Sequence, residues 1–528
     1  MLEPTFQEVQ HYASTHNFIP IRLTLLADQE TPISLYQKCM KEASFLLESV
    51  EGGGHWSRYS FIGLRPFLRV EASDQQVTLH KESGEREQFN RNPMEVLREL
   101  CQQYKAPSIG EFPPLTGGAI GYLGYNTLRY VETQLPKHRN QPLDIPDLHV
   151  VFVDEMLVYD HVKQEIQCMV HIRVSEEDTE ESLQIKYAKA RSRLVALRDH
   201  ILHTAVSKDT RLRQQGNEIN QTGKLDSYCQ PDQLGEEAKN LATNSLQSNM
   251  TLSEYETMIA KAKEYIASGD IFQVVLSQRM TMKTDVDPFD VYRMLRTTNP
   301  SPYLYYLPFE SATLVGASPE VLVKVQNNKI EVRPIAGTRK RGATLEEDVA
   351  LEQELLADPK ELAEHHMLVD LARNDAGRVS KYGTVKVDNA LHVDRYSHVM
   401  HIVSDVSGEM REDLDCFDAL LAAFPAGTVS GAPKLRAMEI IAELEQDARH
   451  TYAGSICYFS FTGNLDSCIT IRTLLFTENH VHIQAGGGIV ADSVAELEYQ
   501  EAMNKAAAMV KALEKAEKLF QPKGVALC

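Results

Sequence analysis

Two segments of the chain set glutamates three residues apart. In Asp358-Pro-Lys-Glu361-Leu-Ala-Glu364-His-His an N-cap acid and a proline at the first helical position open a helix, which places Glu361 and Glu364 on one face. In Ser493-Val-Ala-Glu496-Leu-Glu498-Tyr-Gln-Glu501 a capping-box spacing opens a second helix that carries Glu498 and Glu501 in the same way. If the two faces met, four carboxylates would repel one another, and a divalent cation would be their natural counter-ion. An all-oxygen donor set suits Mg2+. The plain alternative is two solvated faces, with Glu361 closing a capping box on Asp358 and Glu501 paired with Lys505 one turn on.

Small-residue segments add a place for anions. Pro425-Ala-Gly427-Thr428-Val-Ser430-Gly431-Ala-Pro433-Lys434 leads into a helix expected to hold its proline at the second or third position, so that free N–H groups and the helix dipole favour a carboxylate. Gly486, Gly487 and Gly488 follow a strand-like run and read as a turn whose missing β-carbons let a ligand approach the backbone. Neither segment has Walker or GxGxxG spacing, and each could be no more than a tight turn. Arg472, in Ile469-Thr-Ile-Arg-Thr-Leu, is expected on a strand face opposite Ile469 and Ile471, and Tyr452 stands at a strand entrance. His401 lies in an apolar run, either as a hydrogen-bonded core residue or as a proton-transfer group. His480 and His482 share a strand face and read as an exposed edge, whereas His365 and His366 diverge by about 100° on a helix.

The elements that must position these groups divide at a polar stretch. Residues 1–206 mix alternating strand patterns with helices, 207–250 read as a polar linker, and 251–528 carry every chemical candidate above. Helical patterns at Leu252–Ser268, Pro288–Arg296, Leu345–Ala372 and Ala495–Phe520 are separated by strand patterns at Phe272–Met280, Ala312–Ala317, Ser455–Phe461 and Ile469–Phe476. Short turns such as Thr477-Glu-Asn-His favour antiparallel neighbours, so the expected class is α+β.

Composition narrows the partners. The chain has 528 residues with 54 Lys and Arg against 74 Asp and Glu, a net charge of −20 that repels phosphate backbones and gives nucleic-acid binding no support. No run approaches the ~18 apolar residues of a membrane span, and Met1–Gln10 does not read as a secretory signal. The eight cysteines form no CxxC pair, so a reduced, cytoplasmic setting without a thiolate zinc site is expected.

Ordered motifs carry a resemblance. They are Gly269-Asp-Ile-Phe-Gln-Val-Val-Leu-Ser-Gln-Arg279, Gly316-Ala-Ser-Pro-Glu320, Arg333-Pro-Ile-Ala-Gly-Thr338, the stretch from Glu364 to Asp375, Phe424 to Lys434, and the Gly486 segment with its following helix. Together they resemble the chorismate-utilising enzymes and, among these, the large subunits of anthranilate synthases. Leu46-Leu-Glu48-Ser49, Arg58-Tyr-Ser60 and Gly117 to Tyr122 extend the likeness into the amino-terminal region. The resemblance implies large antiparallel sheets in a sandwich with helices outside. It also implies a Mg2+-dependent conversion of chorismate and ammonia to anthranilate and pyruvate, the first step of tryptophan biosynthesis, inhibited by tryptophan.

Residue by residue, the resemblance assigns Mg2+ and the ring carboxylate to Glu361, Glu364, Glu498 and Glu501, and the enolpyruvyl carboxylate to Tyr452 and Arg472. Gly486, Gly487, Gly488, Thr428 and Lys505 complete the pocket, beside Ala336, Gly337 and Thr338. The resemblance implies that the departing 4-hydroxyl needs a proton, for which Glu320 is the candidate acid, and His401 is the residue expected to assist loss of pyruvate. Relatives that add water carry a lysine base where this chain has Gln273, and those that make aminodeoxychorismate carry a lysine nucleophile where it has Ala336. The tryptophan pocket is implied for Leu47, Glu48 and Ser49 with Pro302, Tyr303 and Leu304. No cysteine has a GxCxG elbow, so ammonia is expected from a separate glutamine amidotransferase subunit in a hetero-oligomer. The rival readings are an aminodeoxychorismate synthase and an inactive tryptophan-binding regulator on the same fold.

Overall fold

The computed structural model describes residues 2–49, 58–205, 246–395 and 399–520. Among them the chain forms two antiparallel sheets of 13 and 12 strands. In the first, Ala43–Glu48 lies against Tyr303–Pro308 with Glu48 opposite Leu304; in the second, Gly118–Leu123 pairs with Ser455–Ser460. The regions on either side of the polar stretch therefore share both sheets. Most of that stretch, residues 206–245, lies outside the described residues, and Gln247–Ser248 at its end forms a short strand against Met280 and Thr281.

The inner faces of the sheets meet through Phe45, Phe61 and Tyr305 on one side and Ile120, Tyr122 and Tyr458 on the other, all buried. Helices cover the outer faces, which gives the expected α+β sandwich. Helix Glu180–His203 shows why they stay there. Thr179 accepts the Ser182 N–H, and Leu183, Ala190, Leu194, Leu197 and Ile201 recur at helical spacing on the buried side. Each such leucine contributes about 2 kcal/mol when removed from water.

The helices that carry the glutamates start differently. Pro359–Gly377 opens as its sequence dictates, with Asp358 accepting the N–H groups of Lys360 and Glu361. Ala495–Leu519 does not, since its N-cap is Val494 with no side-chain cap, and the Ser493 hydroxyl instead accepts the Val490 N–H.

Four further expectations change. Gly486, Gly487 and Gly488 are not a turn but the end of strand His480–Ile489, paired with Ser277, Leu276 and Val275. Strand Ile469–Phe476 is two strands, Leu465–Ile469 and Thr473–Thr477, because Arg472 between them adopts a left-handed φ of 51° that ends the alternation. Pro433 is the N-cap of helix Lys434–Leu444, outside the helix rather than within its first turn. His482 is buried in an interior strand, with its ring nitrogens 3.0 Å from the hydroxyls of Thr281 and Thr477, because this strand has neighbours on both sides.

Candidate functional site

The two acidic helices lie on different sheets. Pro359–Gly377 packs against strands Ile335–Lys340 and Val399–Glu409 of the second, Ala495–Leu519 against strand His480–Ile489 of the first, and their glutamates come close enough to act on one another. The Glu364 carboxyl is pushed up by burial, then by the charge of Glu361 on its own helix and of Glu501 on the other. Glu498 is likewise pushed up by burial and by Glu501, while Lys360 across the gap works in the opposite sense. Cations line the same space. Lys505 lies 2.7 Å from Glu501 and donates to the carbonyl of Gly486 at 2.9 Å, and Arg339 lies 3.3 Å from Glu361 and 2.8 Å from Asp358.

The glycine strand forms the floor beneath them. A β-carbon on Gly487 would stand 2.9 Å from the Glu498 carboxylate, and one on Gly488 would stand 2.4 Å from the Gln273 amide. The absence of side chains is thus what lets helix Ala495–Leu519 lie so close over the strand. Gln273 begins the neighbouring strand, with its side chain against this floor and not among the acids.

Glu320 follows strand Thr313–Ser318 and receives a 2.8 Å hydrogen bond from Thr428, which sits in the tight turn Gly427–Val429. Burial pushes the Glu320 carboxyl up to about 7, against the opposing pull of Thr428 and of the nearby Lys505 charge. Tyr452 and Arg472 lie close enough to affect each other's ionisation, and the Glu501 charge reaches Arg472 as well. Burial and the Arg472 charge lower His401, while the Gly337 carbonyl, 2.9 Å from its Nδ1, opposes them. Thr338 is 3.1 Å from the same nitrogen. Gly337 has φ 67° at a bulge beside buried Ala336, which aims its carbonyl at His401; a β-carbon there would come within 3.2 Å of Glu361.

Hydrogen bonds and mutual electrostatic influence thus join Glu320, Thr428, Lys505, the four glutamates, Tyr452, Arg472 and His401 into one neighbourhood. It could hold a small dianion against Arg472 and the glycine amides, with a protonated carboxyl at its side. Among the described residues no three His, Cys, Asp or Glu side chains close into a ligand set. The donors nonetheless fit Mg2+ in kind: they are carboxylate oxygens on two helices, and Glu364 and Glu498 still feel like-charge repulsion that the neighbouring lysines only partly offset. Mg2+ keeps several waters and needs few protein ligands, so a set wider than a closed shell suits it. Sequence reasoning missed Arg339, whose only signal is its place immediately after the Arg333–Thr338 motif.

The six residues expected to form a second pocket also come together. Leu47, Glu48, Ser49, Pro302, Tyr303 and Leu304 line a cavity of about 80 Å3 between the sheets. Arg296 at 3.0 Å and the Tyr292 hydroxyl at 2.5 Å hold the buried Glu48 carboxylate. Tyr303 donates to Asp466 at 2.8 Å, and the Ser49 hydroxyl is buried with no hydrogen-bond partner among the described residues. Among those residues no helix is long and apolar enough to cross a membrane.

The family model for chorismate binding enzymes matches residues 44–511. Anthranilate synthase component 1 of Acetivibrio thermocellus is 47% identical over 518 residues, which are 98% of this chain and 99% of that one. The component 1 of Aquifex aeolicus is 43% identical over 98% of this chain and 99% of its own. Among solved structures, anthranilate synthase component I from Streptococcus pneumoniae superposes with a TM-score of 0.70 at 36% identity, over 87% of this chain and 94% of that one. The menaquinone-specific isochorismate synthase of Escherichia coli, at 18% identity, 96% and 98% coverage and a TM-score of 0.66, shares the fold. With near-complete coverage on both sides, the chain belongs to the chorismate-binding enzymes and, within them, to the anthranilate synthase component 1 family.

Proposed function

We propose that the chain converts chorismate and ammonia to anthranilate and pyruvate. In this reading Mg2+ is the cofactor, a separate glutamine amidotransferase subunit supplies the ammonia, and tryptophan is the feedback inhibitor. The observation that carries it is the pairing of a carboxyl poised near 7, Glu320, with an adjoining cluster of glutamates and a half-buried Arg472.

Each residue then has a task. Arg472, Tyr452 and the glycine amides orient the enolpyruvyl carboxylate, and the glutamates hold Mg2+, which neutralises the ring carboxylate when bound. Ammonia donates its lone pair to ring carbon 2, the double bonds shift, and the bond from carbon 4 to oxygen breaks. Hydroxide is a poor leaving group, so Glu320 gives up its proton and water departs. Thr428 keeps the acid aimed and, by donating to its Oε1, stabilises the carboxylate left after the proton has gone. The added nitrogen sheds a proton to become a neutral amine. The proton on carbon 2 is then removed, and its electron pair aromatises the ring as the bond from carbon 3 to the enolpyruvyl oxygen breaks. The released enolate takes up a proton at its methylene carbon to give pyruvate. A histidine whose Nδ1 donates to the Gly337 carbonyl keeps Nε2 as its basic nitrogen, which suits His401 for that second step. Ala336 offers only a methyl group where a covalent route would need an amine, which favours anthranilate over aminodeoxychorismate.

The purified chain, given chorismate, Mg2+ and excess ammonium, is expected to release fluorescent anthranilate and an equal amount of pyruvate. Silence under these conditions would sink the reading. For the inhibitor, the orphaned Ser49 hydroxyl and the buried Glu48 carboxylate supply the polar ends that an amino acid needs inside an apolar cavity. Ser49→Phe fills that cavity, so the tryptophan concentration for half-inhibition should rise at least about tenfold, the loss expected when one buried polar contact of ~1.4 kcal/mol goes. An unmoved inhibition curve, normalised to the uninhibited rate, would remove Ser49 from the pocket.

A further inference from the structure

Behind the Tyr452 face of the site lies an ion pair that none of the roles above uses. Arg449 and Glu445 are 2.6 Å apart, with side-chain exposures of 0% and 4%. A pair this deep costs desolvation that its attraction barely repays, so stability alone is a weak reason for it. Its remaining bonds all run to the walls of the site. Arg449 donates through Nη1 to the carbonyl of Val429, the residue after Thr428, at 2.7 Å, and through Nη2 to the carbonyl of Val275 at 2.7 Å. Val275 is the register partner of Gly488. The guanidinium also lies over the rings of Tyr125 and Tyr452, with centroids at 4.8 and 5.6 Å. Glu445 accepts the Ser277 N–H at 2.7 Å and the Ser277 hydroxyl at 3.0 Å, and Ser277 is the partner of Gly486.

We propose that the Arg449–Glu445 pair is the positioning device of the site, fixing the Thr428 turn, the Tyr452 ring and the Gly486–Gly488 floor relative to one another. It touches no reacting atom, and the proposal rests on the roles assigned above to Thr428 and Tyr452. Two of the walls also meet directly, since the Val275 N–H donates to the Ser430 carbonyl at 2.9 Å, but the guanidinium reaches the Thr428 turn, the Tyr452 ring and the strand beneath the glycines from one side chain. A rigid fork with donors in fixed directions is the side chain that can set all three at once. Arginine reaches both carbonyls and both carboxylate oxygens, whereas lysine can reach only some of them.

Double-variant kinetics test this. Arg449→Lys should lower the kcat for ammonium-driven anthranilate formation by about ten- to a hundredfold, since a misplacement of about 1 Å costs that much. Thr428→Val should lower kcat through the same acid. If Arg449 acts through the Thr428 turn, the combined variant will fall no more than about threefold below the worse single one. The same saturation is expected for the chorismate KM when Arg449→Lys is combined with Tyr452→Phe. A pair that merely stabilises the fold would give multiplied losses in both cycles, and that result overturns the proposal. Should Arg449→Lys not fold, Glu445→Gln keeps the shape and enters the same two cycles with the same readings. A wild-type chain that makes no anthranilate overturns the underlying function; an active wild type with multiplied losses overturns this inference alone.

Discussion

Glu320→Gln should reduce anthranilate formation by about 10²- to 10⁴-fold, the contribution expected of a positioned general acid, while the protein remains folded. The amide keeps the size of the carboxyl and can still meet Thr428, but it has no proton to give to the leaving hydroxyl. The wild-type rate carries a matching pH signature. At constant free ammonia, kcat should decline above about 7 as Glu320 loses the proton it must donate. Stability supplies an independent check with a definite sign. The folded carboxyl titrates near 7 and its ordinary value is 4.5, so between those values the folded chain keeps a proton that the unfolded chain has released. Stability from this group is therefore full below 4.5 and falls as pH rises to about 7. The loss is on the order of 1–3 kcal/mol. Glu320→Gln escapes it, so the variant should melt higher than wild type at pH 8 and nearly level with it at pH 4. A variant that is inactive but shows no gain at pH 8 would mean that Glu320 is not held protonated by its surroundings.

The same residue shows what the sequence could and could not disclose. Helix Pro359–Gly377 was legible because its start signals are local: Asp358 caps it, Pro359 fits its first turn, and Glu361 and Glu364 follow at fixed spacing. The α+β class followed from strand patterns joined by short turns, and Thr473–Thr477 with His480–Ile489 pair antiparallel as expected. Glu320 has no such local mark. Its raised proton affinity arises from burial against a turn more than a hundred residues away, and it was found only through motif likeness. Arg472 illustrates the opposite error. Its neighbours alternate as a strand would, yet tertiary contacts hold it at positive φ, a conformation that period-2 reasoning cannot register. The glycines erred in a similar way. Three in a row read as a turn, whereas here they make a bare strand surface for a helix carrying Glu498. Nor does composition reveal that the segments before and after the polar stretch interleave in both sheets, because strand order is set by long-range pairing.

The largest effect expected at the acidic cluster concerns Mg2+. Glu498 stands over Gly487, and its carboxyl is pushed up by burial and then by Glu501, so in the protein alone it is a source of repulsion. A divalent cation reverses that sign, because charges that oppose one another become shared ligands. Glu498→Gln should therefore have opposite consequences with and without Mg2+. Without the ion, removing one like charge should leave the melting temperature equal to or above that of wild type. With it, the concentration needed for half-maximal activity should rise at least about tenfold, as loss of a carboxylate contact costs in metal sites. Thermal shift reads the same change without turnover. Mg2+ at a hundred times its dissociation constant stabilises a folded protein by about 2.7 kcal/mol, and that increment should shrink in the variant. Glu501 is the harder probe, since Lys505 at 2.7 Å already neutralises part of its charge and would be left without its partner in a glutamine variant. If Glu498→Gln leaves both the Mg2+ titration and the Mg2+-dependent melting shift unchanged, these glutamates are not the metal site. The carboxylate of chorismate would then have to be held by Arg472, Lys505 and the glycine amides alone.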